Sequence, residues 1–381
     1  MDKEMITEKI TSSDMYKKRT DRSNRIKAVC TFLLFPVTLT SFAAGGFYAA
    51  CDALTSVPYS AAPADTPGKS RTARKSAADP ESPCLLYEAE TAEETSPSET
   101  EAPPDNAEIL RHLYDYDASK IPDGKYGIVP ISMYKPDTEN GMQIKNSSGL
   151  KIDVCDYDKK EIPVLYEDTG GYSVLIIHTH GTEAYTPEGV FCTDKGYYPR
   201  SDKKEENVVG IGDVFEEIFS EAGIKTLHCE IPIDKSSYSK AYLNAAEIIK
   251  EYIAEYPEIK YILDIHRDSI ELSGGEKVKA VTAVNGKAAA QIMFVVGTDA
   301  LVPENKNWGD NFAFAIMLQR ALNEKYGGFA RPINLKQGAY NQFYAPLCLL
   351  IEVGCDGNTY DEAKYAAKLT AEQIVHTLKG E

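Results

Sequence analysis

An α/β three-layer sandwich around a mixed, mainly parallel sheet is the fold this sequence predicts, on three observations. From Tyr172 onward, short apolar runs rich in β-branched residues alternate with stretches whose apolar residues recur at helical spacing, the pattern of a sheet covered by helices. Two of the apolar runs, Val278 to Val284 and Gln291 to Gly297, succeed each other with no helix between them, which makes part of the sheet antiparallel. Charged and imidazole side chains sit where strands end, and in this fold class ligands bind at the carboxyl ends of strands.

Each element has its own warrant. Val174 to Ile177 is uncharged and β-branched, suited to a strand buried on both faces. Val208, Ile211, Gly212, Phe215, Ile218, Phe219 and Ala222 share one helical face, and Gly223 can take the left-handed conformation that stops that helix. Ile224 to Cys229 comes next as a strand. Tyr242, Ala245, Ala246, Ile249 and Ile253 mark a second helix, ended by Pro257. Tyr261 to Ile265 is the next strand and finishes at His266. After the two consecutive strands comes a helix with Phe314, Met317, Leu318, Ala321 and Leu322 inward. Leu347 to Val353 is the last strand, and Ala363, Ala367, Ala371, Ile374 and Leu378 line the last helix. No internal repeat is evident.

Upstream the chain changes character. Residues 1–27 are polar and basic, with Lys17, Lys18, Arg19, Arg22, Arg25 and Lys27, and they precede an uncharged segment, 28–51, long enough to span a bilayer. The basic residues predict that residues 1–27 stay cytoplasmic and that the chain beyond residue 51 lies outside, on an uncleaved transmembrane anchor. A cleaved signal peptide is the rival, with small residues at Ala43-Ala44 and Ala49-Ala50. Lipidation at Cys51 is a minor alternative. Residues 52–106 are rich in Ser, Thr, Pro, Ala and Glu and form a disordered tether. Residues 107–171 carry short apolar pieces, Gly127 to Met133 and Leu150 to Val154, which predict an arm packed on the α/β domain at 172–381.

The 381 residues have a net charge of −17, which disfavours nucleic acid as a partner. Much of that charge is local, since Glu81 to Leu110 holds nine acids and no Lys or Arg. No two of the eight cysteines form a CxxC pair, which argues against a zinc ribbon, and they are too sparse for a disulfide scaffold.

Three strand ends carry chemistry. The first gives His178, His180 and Glu183, the second Asp264, His266, Arg267 and Asp268, the third Glu352. Neutral imidazole and carboxylate are the usual non-thiol ligands of Zn²⁺. His180-Gly-Thr-Glu183 has the form HxxE, two ligands from one turn as in zinc carboxypeptidases, which makes His266 the natural third and leaves a fourth position for water. His178 replaces His180 if the register shifts by two residues. Asp264 or Asp268 could fix the tautomer of a zinc-bound His266. A carboxylate ending a strand as apolar as Leu349 to Ile351 is costly to bury without a cation or donor beside it, which singles out Glu352. Arg267 is a candidate for holding a substrate carboxylate, or for a structural ion pair. His228 is a candidate ligand or a core histidine, while His112 and His376 lie outside the motifs.

The wider pattern resembles a known family. HTHGTEAYTP (His178 to Pro187), NVVGIGD (Asn207 to Asp213), LDIHRDS (Leu263 to Ser269), MFVVGTD (Met293 to Asp299), Trp308 with Asn311, YNQ (Tyr340 to Gln342) and LLIEVG (Leu349 to Gly354) together resemble stage II sporulation protein P. The resemblance implies a membrane-anchored, zinc-dependent N-acetylmuramoyl-L-alanine amidase of endospore-forming bacteria that cuts peptidoglycan between muramic acid and the first alanine of the stem peptide, with peptide cross-links as a further target. It implies His180 and His266 as ligands and Glu352 as the catalytic carboxylate. Related cell-wall amidases take their carboxylate ligand from the start of the next helix, where Glu205 is the counterpart of Glu183. The family pattern has an Arg where Ala339 stands here. The implied partners are peptidoglycan, the membrane and the stage II sporulation proteins D and M, outside the cytoplasm in the intermembrane space of the sporangium. A murein carboxypeptidase or endopeptidase with the same zinc site, and a non-catalytic wall-binding scaffold, are the rival classes.

Overall fold

In the computed structural model of the chain the described residues are 106–134, 142–158, 160, 162, 166 and 168–380. The predicted basic segment and anchor, and all of the tether but its last residue, lie outside them. Among the described residues no helix is long and apolar enough to cross a membrane.

The core is a seven-stranded mixed sheet. Its strands are β2 (Ile144–Asn146), β3 (Val174–Ile177), β5 (Thr226–His228), β6 (Tyr261–Asp268), β9 (Ile292–Gly297), β10 (Ile333–Lys336) and β11 (Leu347–Cys355), in the order β2-β10-β9-β11-β6-β3-β5. Strands β11, β6, β3 and β5 run parallel, and β9 reverses against β11. The antiparallel element expected from the consecutive runs is therefore present, but only the second run joins this sheet. The first becomes β7 (Lys277–Val284), which forms a hairpin with β8 (Lys287–Ala290) in a separate four-stranded sheet completed by β1 (Tyr126–Ile131) and β4 (Cys192–Thr193).

Alternation along the strands builds two apolar layers. Ile176, Leu263, Ile265, Leu349, Ile351 and Val353 face α3 (Val208–Glu221), α5 (Trp308–Tyr326) and α6 (Tyr360–Lys379). Leu175, Ile177, Ile262 and Cys348 face α4 (Ala241–Glu255) through Ala245, Ile248, Ile249 and Tyr252. With four consecutive residues of β3 fully buried, each contributing about 1.5–3 kcal/mol of apolar burial, the central strands fix the frame on which the loops stand. Met317, expected inward on α5, is 40% exposed, because α5 presents its Phe314–Leu318 side to the sheet instead.

Residues 107–171 are woven in more deeply than an arm laid on a finished domain. They begin with α1 (Asn106–Leu113) and end with α2 (Cys155–Asp158), which packs on α5. Between these, β1 pairs in parallel with β7, and β2 extends the main sheet beyond β10. Leu150 to Val154, expected as a short strand, carries none.

The loop after β3 is tied to the end of β11. Tyr185 Oη donates to the Val353 carbonyl at 2.9 Å, and the Thr186 hydroxyl donates to the Asp356 carbonyl at 2.6 Å. At Gly354 the β11 register shifts and φ is +72°; a Cβ there would meet the Ala290 Cβ at 2.8 Å, so only glycine allows the strand to end as it does.

Candidate metal centre

Three adjacent strands deliver the site. In the order β11-β6-β3, Glu352 is the register partner of His266, and Ile177 is the partner of Asp264. Asp264, His266 and Glu352 therefore lie on the α4 face of the sheet. The turn after β3 carries His180 to that same face, where its ring meets those of Tyr238 at 4.5 Å, Tyr242 at 5.5 Å and His266 at 5.2 Å.

One donor atom from each of His180, Glu183 and His266 lies within 4.8 Å of the other two. His180 Nδ1 is 3.4 Å from Glu183 Oε1, and His266 Nδ1 is 3.3 Å from Glu183 Oε2. On its other side, His266 Nε2 is 2.9 Å from Asp264 Oδ1. Asp264 can only accept when ionised, so the ring proton belongs on Nε2 and Nδ1 turns a bare lone pair toward a carboxylate. Two acceptors facing each other at that distance require a cation between them. A proton or a metal ion would serve, and two imidazoles with one carboxylate is a donor set suited to Zn²⁺. The residues present thus fit the metal.

The electrostatics agree. Burial pushes the Glu183 carboxyl up, but His180, His266 and Arg267 outweigh it and hold it well below the usual carboxylate range. Burial lowers His266, and Asp264 with Glu183 more than reverses that, raising it well above the ordinary imidazole value. Asp264 is itself held down, against burial, by His266 and by Thr179, whose amide and hydroxyl donate to it at 2.8 and 2.6 Å. Glu352 behaves oppositely. Burial, with the Asp268 charge adding to it, pushes its carboxyl up to about 8, while its Oε2 is buried with no hydrogen-bond partner among the described residues.

The other candidates have different placements. His178 is fully buried on the α3 face, with Nδ1 3.0 Å from the Ile265 carbonyl and Nε2 2.8 Å from His228 Nε2, so both ring nitrogens are committed away from the cluster. Glu205 is exposed on the 3₁₀ turn Lys204–Glu206 and is not among the gathered donors. Arg267 does not reach out for a substrate carboxylate. It is 2% exposed, and its Nε and Nη2 donate to the carbonyls of Ala184 and Pro199, each at 2.9 Å, while its amide donates to Glu183 at 3.2 Å. It clamps the loop that carries Glu183. Of the two candidate tautomer-fixing acids, Asp264 is the one beside His266; Asp268 pairs at 2.5 Å with Arg331.

Arg331 is a residue that motif reading missed. It is 3% exposed, also contacts Met293 Sδ at 3.4 Å, and lies in the electrostatic environment of Glu352. Nothing in its sequence spacing marks it. Also missed was a ladder of stacked rings and guanidinium groups. Arg267 lies 4.6 Å from the Tyr198 ring, Arg200 lies 4.7 and 5.0 Å from Tyr198 and Tyr238, and Tyr238 stacks on His180. A cleft of about 560 Å³ opens here, lined by Thr182, Tyr198, Arg200, Asp234, Lys235 and Tyr238 among others.

Comparisons with known proteins bear on this arrangement. The family model for stage II sporulation protein P (SpoIIP) matches residues 76–375. The stage II sporulation protein P of Bacillus subtilis (strain 168) is 30% identical over 210 residues, which are 52% of this chain and 49% of that protein, so the chain matches about half the length of this curated relative. The apo crystal structure of the N-acetylmuramyl-L-alanine amidase Ami1 from Mycobacterium abscessus aligns over 54% of this chain and 96% of its own, at 12% identity and a TM-score of 0.30, too low a score to carry an argument. The family match extends over far more than half of the sequence and takes in all three strand ends that meet at the cluster. This chain belongs to the stage II sporulation protein P family.

Proposed function

We propose that this chain is a zinc-dependent hydrolase of peptidoglycan that cleaves the amide between N-acetylmuramic acid and the first alanine of the stem peptide during wall remodelling in sporulation. The observation that carries this reading is the convergence, at three neighbouring strand ends, of the His180, Glu183 and His266 donors with Glu352, the register partner of His266. Zinc held by His180, His266 and Glu183 would supply a bound water acidified toward a pKa of about 7 and would polarise the scissile carbonyl.

The protein's own groups do the rest. Asp264 keeps the His266 proton on Nε2 and so presents Nδ1 as a donor. Glu352, whose buried carboxyl is raised in the metal-free chain and would be brought back down by the charge of a bound ion, takes the proton of the attacking water and passes one to the departing alanine nitrogen. The carbon–nitrogen bond breaks, a carbon–oxygen bond forms, and the products are a muramyl carboxylate and a peptide with a free amino terminus. The cleft lined by Tyr238, whose ring stacks on His180, opens to solvent next to the centre and is the route proposed for the substrate.

In this reading residues 28–51 anchor the protein, and the catalytic domain lies outside the cytoplasm with peptidoglycan and the stage II sporulation proteins D and M. Protease added to intact protoplasts should remove the domain; full protection would overturn the topology. Mass analysis of digested sacculi tests the reaction. Stem peptides released with a free alanine amine support the amidase; products cut only within the peptide assign the same centre to an endopeptidase.

A further inference from the structure

A second cluster of donors stands on the opposite, α3 side of the sheet. One donor atom from each of Asp213, His228 and Glu230 lies within 4.8 Å of the other two. Asp213 is on α3, His228 ends β5, and Glu230 lies just beyond it. The Glu216 carboxylate, one helical turn beyond Asp213, approaches His228 Nδ1 to 3.5 Å, and Asp213 approaches it to 3.3 Å.

The hydrogen-bond chain behind His228 fixes its tautomer. The Ile265 carbonyl can only accept, so His178 carries a proton on Nδ1. The two Nε2 atoms of His178 and His228 are 2.8 Å apart and share one proton. Placing it on His178 would make that fully buried ring a cation with no carboxylate in contact; placing it on His228 leaves both rings neutral. His228 therefore donates through Nε2, and its Nδ1 presents a lone pair to Asp213 and Glu216. This side chain is 1% exposed. An acceptor facing carboxylates needs positive charge between them. A second proton on the ring would supply the charge, and against burial, which lowers the ring, Asp213 and Glu216 do raise it above its ordinary value, but at 3.3 and 3.5 Å neither carboxylate sits in hydrogen-bonding geometry at Nδ1, which leaves room for an ion there. Gly212 keeps the space for this pair, because a Cβ there would come within 2.5 Å of His228 Nε2 and 2.6 Å of His178 Nε2.

We propose that Asp213, His228 and Glu230 form a second metal site, for a divalent transition metal of the zinc class, separate from the candidate catalytic centre. One imidazole and two carboxylates suit such an ion, and an imidazole whose far nitrogen is fixed by a hydrogen bond is the usual form of a histidine ligand. The Lys204 ammonium now bridges Asp213 at 2.8 Å and Glu230 at 3.1 Å. It is 40% exposed, so it is the group that an ion would displace into solvent. The site stands independently of the hydrolase reading.

The test is zinc titration of the full chain after metal removal, with metal content measured by mass spectrometry. Wild type should bind two equivalents, and His266→Ala one. Glu230→Gln and Asp213→Asn, both at partly exposed positions, should leave one while keeping the wild-type melting temperature of the metal-free protein. Lys204→Met should tighten the second equivalent about tenfold, since it removes the competing ammonium. A single equivalent in wild type that His266→Ala abolishes would overturn the proposal, as would unchanged second-equivalent affinity in both carboxylate variants. Two equivalents surviving in His266→Ala would instead refute the first centre.

Discussion

Asp264→Asn isolates the electrostatic part of the candidate centre from its shape. In the structure Oδ1 of Asp264 accepts from the Thr179 amide at 2.8 Å and forms a close ion-pair contact with His266 Nε2 at 2.9 Å, while Oδ2 accepts from the Thr179 hydroxyl at 2.6 Å. An asparagine with its oxygen at the Oδ1 position keeps the first two contacts. Its amide nitrogen replaces Oδ2, and the Thr179 hydroxyl can rotate to accept from it. Geometry is therefore conserved and only the negative charge is lost. A hydrogen bond to a charged group is worth about 1.5–3 kcal/mol and a neutral one about 1, so the change removes about 0.5–2 kcal/mol from the preference for the Nε2–H tautomer. Zinc affinity should fall roughly tenfold, at the lower end of the 10–100-fold range for such supporting carboxylates. Competition against a chromogenic chelator reads this directly, with thermal melting of the metal-free protein as the control for folding. A folded Asp264→Asn protein with wild-type zinc affinity would refute the reasoning.

Other outcomes rest on the same geometry. Glu183→Gln should abolish stoichiometric zinc binding at the first centre, while Glu205→Gln leaves it intact; the reverse pattern, read by metal content, would give the ligand role to Glu205. For Glu352 the sign is set by its raised carboxyl. The folded state favours the neutral form, so wild-type stability declines as pH rises from the unfolded value of about 4.3 toward about 8 and stays low above it. Glu352→Gln mimics the neutral form, so in metal-free protein it should be more stable than wild type by about 1 kcal/mol or more at pH 9, and equal to it near pH 4; denaturant melts at both pH values check this. Gly212→Ala should push α3 off the His178–His228 pair at a cost of about 1–3 kcal/mol, seen as a melting temperature lower by roughly 2–4 °C for each kcal/mol.

Much of the fold was legible in the sequence because burial writes itself into composition. Strands β3, β6 and β11 are apolar enough to announce themselves, and the residues that end them are conspicuous against that background. Strands β4, β8 and β10 have two to four residues each, too short for periodicity to show, and the second sheet, built in part from β4 and β8, was invisible for that reason. The choice between His178 and His180 was beyond alternation. His178 continues the α3-facing series of Ile176, and two residues further the turn re-aims His180 to the α4 face, where Tyr238 and His266 meet it. Arg267 and Arg331 were opaque in another way. An arginine beside a histidine ligand suggests substrate binding, but whether its donors reach solvent or backbone carbonyls depends on a distant loop, here the segment ending at Pro199.

The proposed chemistry requires Glu352 to be the base and not a ligand. Turnover of purified peptidoglycan by Glu352→Gln, measured beside its zinc content, tests that claim most directly. The substitution keeps the side chain's shape and removes its proton affinity, so zinc and wall binding should persist while the rate falls by at least roughly 10²-fold, the usual contribution of a general acid–base residue. Zinc lost together with turnover would make Glu352 a ligand, and turnover preserved with zinc still bound would contradict its role as the base.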